Sequence, residues 1–156
     1  MEFSAEISPC GLYRYSLTRK WSHGPSVVFI MLNPSWADAI EDDATIRRCI
    51  SFAKSWGFGS LAVGNLFAFR TPSPTLMMAE DNPIGDDNDR WLRKLQGSAD
   101  LILAAWGNGG TFKGRGKAVA SVLNNPHVLR LTKIGQPGHP LYVRSDTQPS
   151  QWAVEK

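Results

Sequence analysis

The chain has 156 residues, 42% of them apolar, which suits one well-buried core and is too short for two ordinary domains. Its longest uncharged apolar stretch, residues 27–32, falls far below the roughly 20 residues that cross a bilayer, and no basic-then-apolar secretory pattern opens the chain, so a cytoplasmic protein without a membrane partner is expected. The 17 basic and 14 acidic residues leave a net charge of +3, which is compatible with a polyanionic partner without requiring one.

In chain order, residues 3–18 alternate weakly around a Pro9-Cys10-Gly11 turn, which predicts an N-terminal hairpin or edge ribbon. The apolar run 27–32 reads as a strand buried on both faces and ends at Asn33-Pro34-Ser35. Asp43 is placed to cap a helix with Ile46, Cys49, Ile50 and Ala53 on one stripe and Gly57 as its stop. A second run, 61–64, ends at Asn65. Residues 71–85, rich in Pro, Ser, Asp and Asn, predict a loop over the pocket. Asp86 or Asp87 then opens a helix with Trp91, Leu92 and Leu95 inward and Gly97 at its end. A third run, 101–105, ends at Trp106-Gly107, and the glycine-rich segment 107–117 opens a helix with Ala118, Val119, Val122 and Leu123 inside. The last run, 128–131, leads into Gly135-Gln136-Pro137-Gly138-His139-Pro140. Apolar runs alternating with helical periods predict a single α/β domain over residues 1–156, a three-layer sandwich with a mainly parallel four-stranded sheet.

In such sheets ligands bind beyond the carboxyl ends of the strands, so Asn33, Asn65 and His139 are expected to surround one pocket. The glycine-rich segment fits neither familiar phosphate motif. Thr111 stands where a P-loop needs Gly and Ala118 where it needs a hydroxyl, and Phe112 takes the last glycine position of the dinucleotide fingerprint. What remains is a loop whose backbone amides, with Lys113, Arg115 and Lys117, suit a nucleic-acid backbone. Arg144 extends this largely unopposed basic second half of the chain. Cys10 and Cys49 have neither CxxC nor metal-ligand spacing, so no metal or other cofactor is expected.

Taken together, Asn33-Pro34 after the first buried run, Asn65 after the second, Trp106-Gly107 after the third and Gly138-His139-Pro140-Leu141-Tyr142 after the fourth resemble the uracil-DNA glycosylase superfamily, in particular its mismatch-specific branch, across residues 27–145. With residues 42–49 and 65–68, they also resemble a bacterial and phage family known as a domain of unknown function. The resemblance implies a monofunctional, metal-independent DNA glycosylase that flips its target base out of double-stranded DNA. Asn33 would orient water through its amide oxygen and His139 would hold the departing base. Asn65, with Pro34 and Ser35, would bind that base, and Trp36 or Phe67 would stack on it. Leu141 and Tyr142 would fill the gap left in the duplex. Some small members of that superfamily remove glucosylated cytosines from phage DNA, which makes modified phage DNA the expected partner, with no obligate protein partner. Asp38, Asp42 and Asp43, within ten residues of Asn33, are candidate accessory acids that act as a base or contact a sugar adduct. Two positions depart from the pattern: the water-activating aspartate of the classical branch is absent, and Leu141 replaces the serine of His-Pro-Ser. The residues themselves leave two alternatives open, a non-catalytic module that binds an altered base and an enzyme acting on free nucleosides or nucleotides.

Overall fold

The computed structural model describes residues 1–154, in which seven strands form one sheet. In chain order these are β1 (Glu2–Ile7), β2 (Arg14–Lys20), β3 (Ser26–Met31), β4 (Ser60–Asn65), β5 (Leu101–Ala104), β6 (His127–Val128) and β7 (Ser150–Gln151). Four α-helices intervene: α1 (Ala44–Ser55), α2 (Pro74–Met78), α3 (Asn88–Gly97) and α4 (Arg115–Ala120). The strands lie in the order β1-β2-β4-β3-β5-β6-β7. The four that carry the apolar runs, β4, β3, β5 and β6, are mutually parallel. The β1–β2 hairpin adds to the free edge of β4 in antiparallel register, and β7 adds antiparallel to β6. The α/β class agrees with the sequence, but the sheet is wider than four strands because flanking segments pair edges that would otherwise present unbonded backbone groups.

Alternation along β3 feeds two cores. Val27, Phe29 and Met31 pack on one face with Ile46, Cys49, Phe52 and Ala53 of α1, while Val28 and Ile30 pack on the other with Leu92 and Leu95 of α3 and Val119 and Ala120 of α4. This is the period-2 geometry of a strand buried on both sides. Asp43 caps α1 as expected, its carboxylate accepting from Ile46 N–H at 2.9 Å.

Several expectations need correction. Residues 71–85 are not wholly loop: Ser73 accepts from Leu76 N–H and Pro74 occupies the first turn of α2, a local start signal strong enough for a five-residue helix. Ala118 and Val122 are exposed, because the 3-10 segment Asn108–Gly114 resets the phase and α4 turns Arg115, Gly116, Val119 and Ala120 inward. Leu123 is buried as expected, whereas Trp91 is half-buried, with the Lys94 ammonium 4.6 Å from its ring centre. Of the fourth run only Val128 pairs in the sheet, with His127 before it, after which the chain leaves to form the loop that carries His139. Among the described residues no helix is long and apolar enough to cross a membrane.

Candidate functional site

A cavity of about 600 Å³, within the size range of small-molecule sites, opens beyond the carboxyl ends of the parallel strands. Asn33, Asn65 and His139 all line it, although more than a hundred residues separate the first from the last. Their convergence follows from the parallel register. Met31 sits opposite Asn65, and beyond the strands Leu66 N–H donates to Met31 O and Phe67 N–H to Leu32 O, so the tails of β3 and β4 run on side by side.

Asn33 has a determined amide orientation. Its Nδ2 donates to Thr71 O at 2.9 Å and to Pro34 O at 3.4 Å, and only the NH₂ end of an amide can donate to two carbonyls. Oδ1 is therefore the end left free as an acceptor. Thr71 N–H donates in turn to Pro34 O at 2.8 Å, which ties the Asn-Pro-Ser turn to the chain after β4. Asn65 differs: it is 2% exposed, yet its Oδ1 is buried without a hydrogen-bond partner. A buried amide oxygen without a partner costs about 1–3 kcal/mol, and it belongs to a residue that lines the cavity.

The imidazole of His139 is half-buried, and its Nδ1 accepts from Leu141 N–H at 3.2 Å. That bond places the proton of the neutral ring on Nε2 and makes Nε2–H the available donor. Burial lowers the pKa of the ring below its usual value, with the Asp43 carboxylate opposing, so the neutral form is favoured. The loop is held from two sides. Gly107 N–H donates to Pro137 O at 2.7 Å, and Gly138 N–H donates to Arg130 O at 2.8 Å. Gly107 adopts φ 71° and ψ −170°, a conformation essentially reserved for glycine, so a side chain at the end of β5 would strain this junction.

Three residues that shape the site carry no local motif. Arg14, 2% exposed, lines the cavity and donates from Nη1 to Ala37 O at 2.9 Å. Asn88, fully buried at the start of α3, donates from Nδ2 to Asn65 O at 2.9 Å and Leu66 O at 3.0 Å, holding the end of β4. Arg48 of α1 donates from Nη2 to Val143 O at 2.6 Å and from Nε to Pro140 O at 3.3 Å, clamping the segment after His139. Arginine stripes and lone asparagines are usually solvated, so sequence periodicity gives no warning of these commitments.

Pro34, Ser35, Asp43, Leu141 and Tyr142 also line the cavity. The other residues proposed from the sequence do not. Phe67 is 0% exposed and packed against Phe112 in the core, so it has no face to offer a base. Trp36 is 59% exposed outside the lining, with the Arg70 guanidinium over its ring. Arg115 is no surface phosphate contact: Nε donates to Leu66 O at 2.9 Å and Nη2 to Asp89 at 2.6 Å. Asp42 is bound to Arg19 at 2.8 Å. Asp38 accepts from the N–H groups of Glu41 and Ile40, which lower its pKa and hold its loop. Lys113, Lys117 and Arg144 are exposed away from the cavity wall. Gly110 and Gly116 have a packing reason, since a Cβ on Gly110 would lie 2.1 Å from Trp106 Cδ1 and one on Gly116 would lie 2.9 Å from its Nε1. Among the described residues no three His, Cys, Asp or Glu side chains are grouped to hold a metal ion.

The fold and site thus define an α/β protein with a cavity of mixed polar and apolar lining at the carboxyl edge of its parallel strands. The chain belongs to the family described as a protein of unknown function (DUF1643), whose profile matches residues 14–141. That span begins at Arg14 and runs past His139, so it includes the cavity residues discussed above up to Leu141. No curated protein and no solved structure matches the chain.

Proposed function

We propose that the protein is a DNA glycosylase that hydrolyses the N-glycosidic bond of a modified pyrimidine and leaves an abasic site, in the setting of defence against phage. The observation that carries this reading is the shared cavity of Asn33, Asn65 and His139. The helices on both faces of the parallel strands support the three-layer arrangement that the superfamily resemblance implies. Glycosidic cleavage develops positive charge on the sugar and negative charge on the departing base. Asn33 Oδ1, fixed by the bonds its NH₂ makes, positions water toward the sugar. His139 Nε2–H donates to the base anion from a partly dehydrated wall, where a fixed donor is worth far more than in water. Asn65 binds the base edge with the amide that lacks a protein partner. Asp43, alone among the three candidate acids, faces the cavity, with its Oδ1 held by Ile46 N–H. It supplies a carboxylate near the sugar in a site whose Asn-Pro turn has none. Leu141 and Tyr142, 42% and 77% exposed at the cavity mouth, occupy the space a flipped base vacates.

The test is a panel of duplexes, unmodified, uracil-containing and phage-hypermodified, incubated with the protein and scored for strand breaks after alkali. Wild type is expected to yield alkali-labile sites in one class, and Asn33→Ala and His139→Ala each to lower the rate by about 10²-fold or more. Absence of cleavage with selective binding of a modified duplex favours the second reading, a binding module, for which the missing aspartate beside Pro34 speaks.

A further inference from the structure

Three arginines have side chains almost wholly inside the protein: Arg14 at 2% exposure, Arg19 at 0% and Arg115 at 9%. Arg19 meets Asp42 at 2.8 Å, and Arg115 meets Asp89 at 2.6 Å. Arg14 has no carboxylate within 4.0 Å among the described residues, and it is the one of the three that lines the cavity. Its Nη1 is occupied by Ala37 O, while Nε is buried with no acceptor. Nη2 has no protein acceptor and is not sealed as Nε is, so it is the guanidinium nitrogen left to face the cavity. Burial lowers the pKa of Arg14 to about 10, with the Asp43 carboxylate opposing. That carboxylate shares the cavity but is anchored on Ile46 N–H and makes no ion pair with Arg14. A buried charge is costly without a close counter-ion, and this one faces a space that a ligand can enter.

We propose that Arg14 forms a phosphate subsite in the cavity wall, where an oxyanion of the ligand accepts from Nη2 of the guanidinium. The choice of phosphate over carboxylate rests on reading the cavity as a nucleotide site. The phosphate belongs either to a free nucleotide or to the DNA strand at the extruded nucleotide, and the two sources share this chemistry.

The test is calorimetric binding to wild type, Arg14→Gln, Arg14→Lys and Arg130→Gln, with two ligand pairs that differ in phosphate charge. One pair is deoxycytidine 5′-monophosphate and deoxycytidine. The other is a duplex with a tetrahydrofuran abasic site, carrying either native phosphates or neutral methylphosphonates on the two flanking linkages. Wild type is expected to prefer the charged member of at least one pair by about tenfold or more. Arg14→Gln should cut that preference to about twofold or less, Arg14→Lys should reduce it in part, and Arg130→Gln, whose side chain also lines the cavity, should keep it. Preference in the first pair assigns the free nucleotide, and preference in the second assigns the strand. Equal binding within both pairs, or no binding of any of the four ligands, overturns the proposal. So does a full preference kept by folded Arg14→Gln or lost in Arg130→Gln. If Arg14→Gln does not fold, an undiminished preference in Arg14→Lys overturns it instead. None of these measurements needs base excision, so the role of Arg14 stands or falls separately from cleavage of any duplex.

Discussion

Asn65 holds a side-chain amide whose oxygen meets no protein donor in a 2%-exposed position, while its backbone carbonyl is held by Asn88. The two halves of one residue thus do separate work, the main chain structural and the side chain facing the cavity. Asn65→Ala is therefore expected to change unfolding free energy by no more than about 1 kcal/mol in a denaturant titration, while ligand affinity falls about tenfold or more. A large loss of stability would show that the amide serves the fold. His139 makes a different prediction. Its folded pKa lies below the unfolded value because burial penalises the imidazolium, so the unfolded chain binds the proton more readily. The contribution of the ring to stability is full above the unfolded pKa, near 6.5, and is lost progressively as pH falls from there through the lowered folded pKa. Wild type should lose more Tm than His139→Gln between pH 7.5 and 5; equal losses would show that the ring is not held neutral.

Among the elements, the glycine-rich segment changes its meaning most. Its composition suggests a loop that meets a nucleic-acid backbone, but Gly110 and Gly116 are there because the Trp106 indole lies against them, with Trp106 Nε1 donating to Gln136 Oε1 at 2.9 Å. Gly110→Ala is expected to cost about 1–3 kcal/mol or more in unfolding free energy through overpacking, and to disturb the loop that Gln136 belongs to. A variant as stable as wild type would mean that Trp106 has room to move. The start of α3 matters in a similar way. Asn88→Ala removes two hydrogen bonds and leaves the carbonyls of Asn65 and Leu66 less well satisfied, with Arg115 still bonded to Leu66 O. A loss of about 2–4 kcal/mol is expected by chemical denaturation, from the typical penalty for each buried group left unpaired.

Across the molecule, apolar tips and cations gather near the cavity mouth. Leu131 and Ile134, 47% and 61% exposed, share a loop with Arg130 and Lys133, and Tyr142 stands beyond His139. If this face meets a DNA backbone, the logarithm of affinity should fall linearly with the logarithm of salt, and Lys133→Gln should lower the slope by about 1. A salt-independent affinity would rule out the phosphate contacts.

The strand ends are readable from the chain because an apolar run stops where its residues stop, and parallel strands must deliver those stops to one edge. Asn33, Asn65 and His139 are therefore identifiable as neighbours from the sequence, as is the Asp43 cap. The partners of a long polar side chain are not readable, since they lie on elements remote in sequence. Arg14 and Arg115 have the same side-chain chemistry, yet one faces a cavity without a counter-ion and the other is spent on Leu66 O and Asp89. Phe67 likewise reads as a platform beside Asn65 until packing encloses it against Phe112. Periodicity records which way a backbone turns its side chains; only long-range packing assigns each polar head its partner and turns some of them to the cavity.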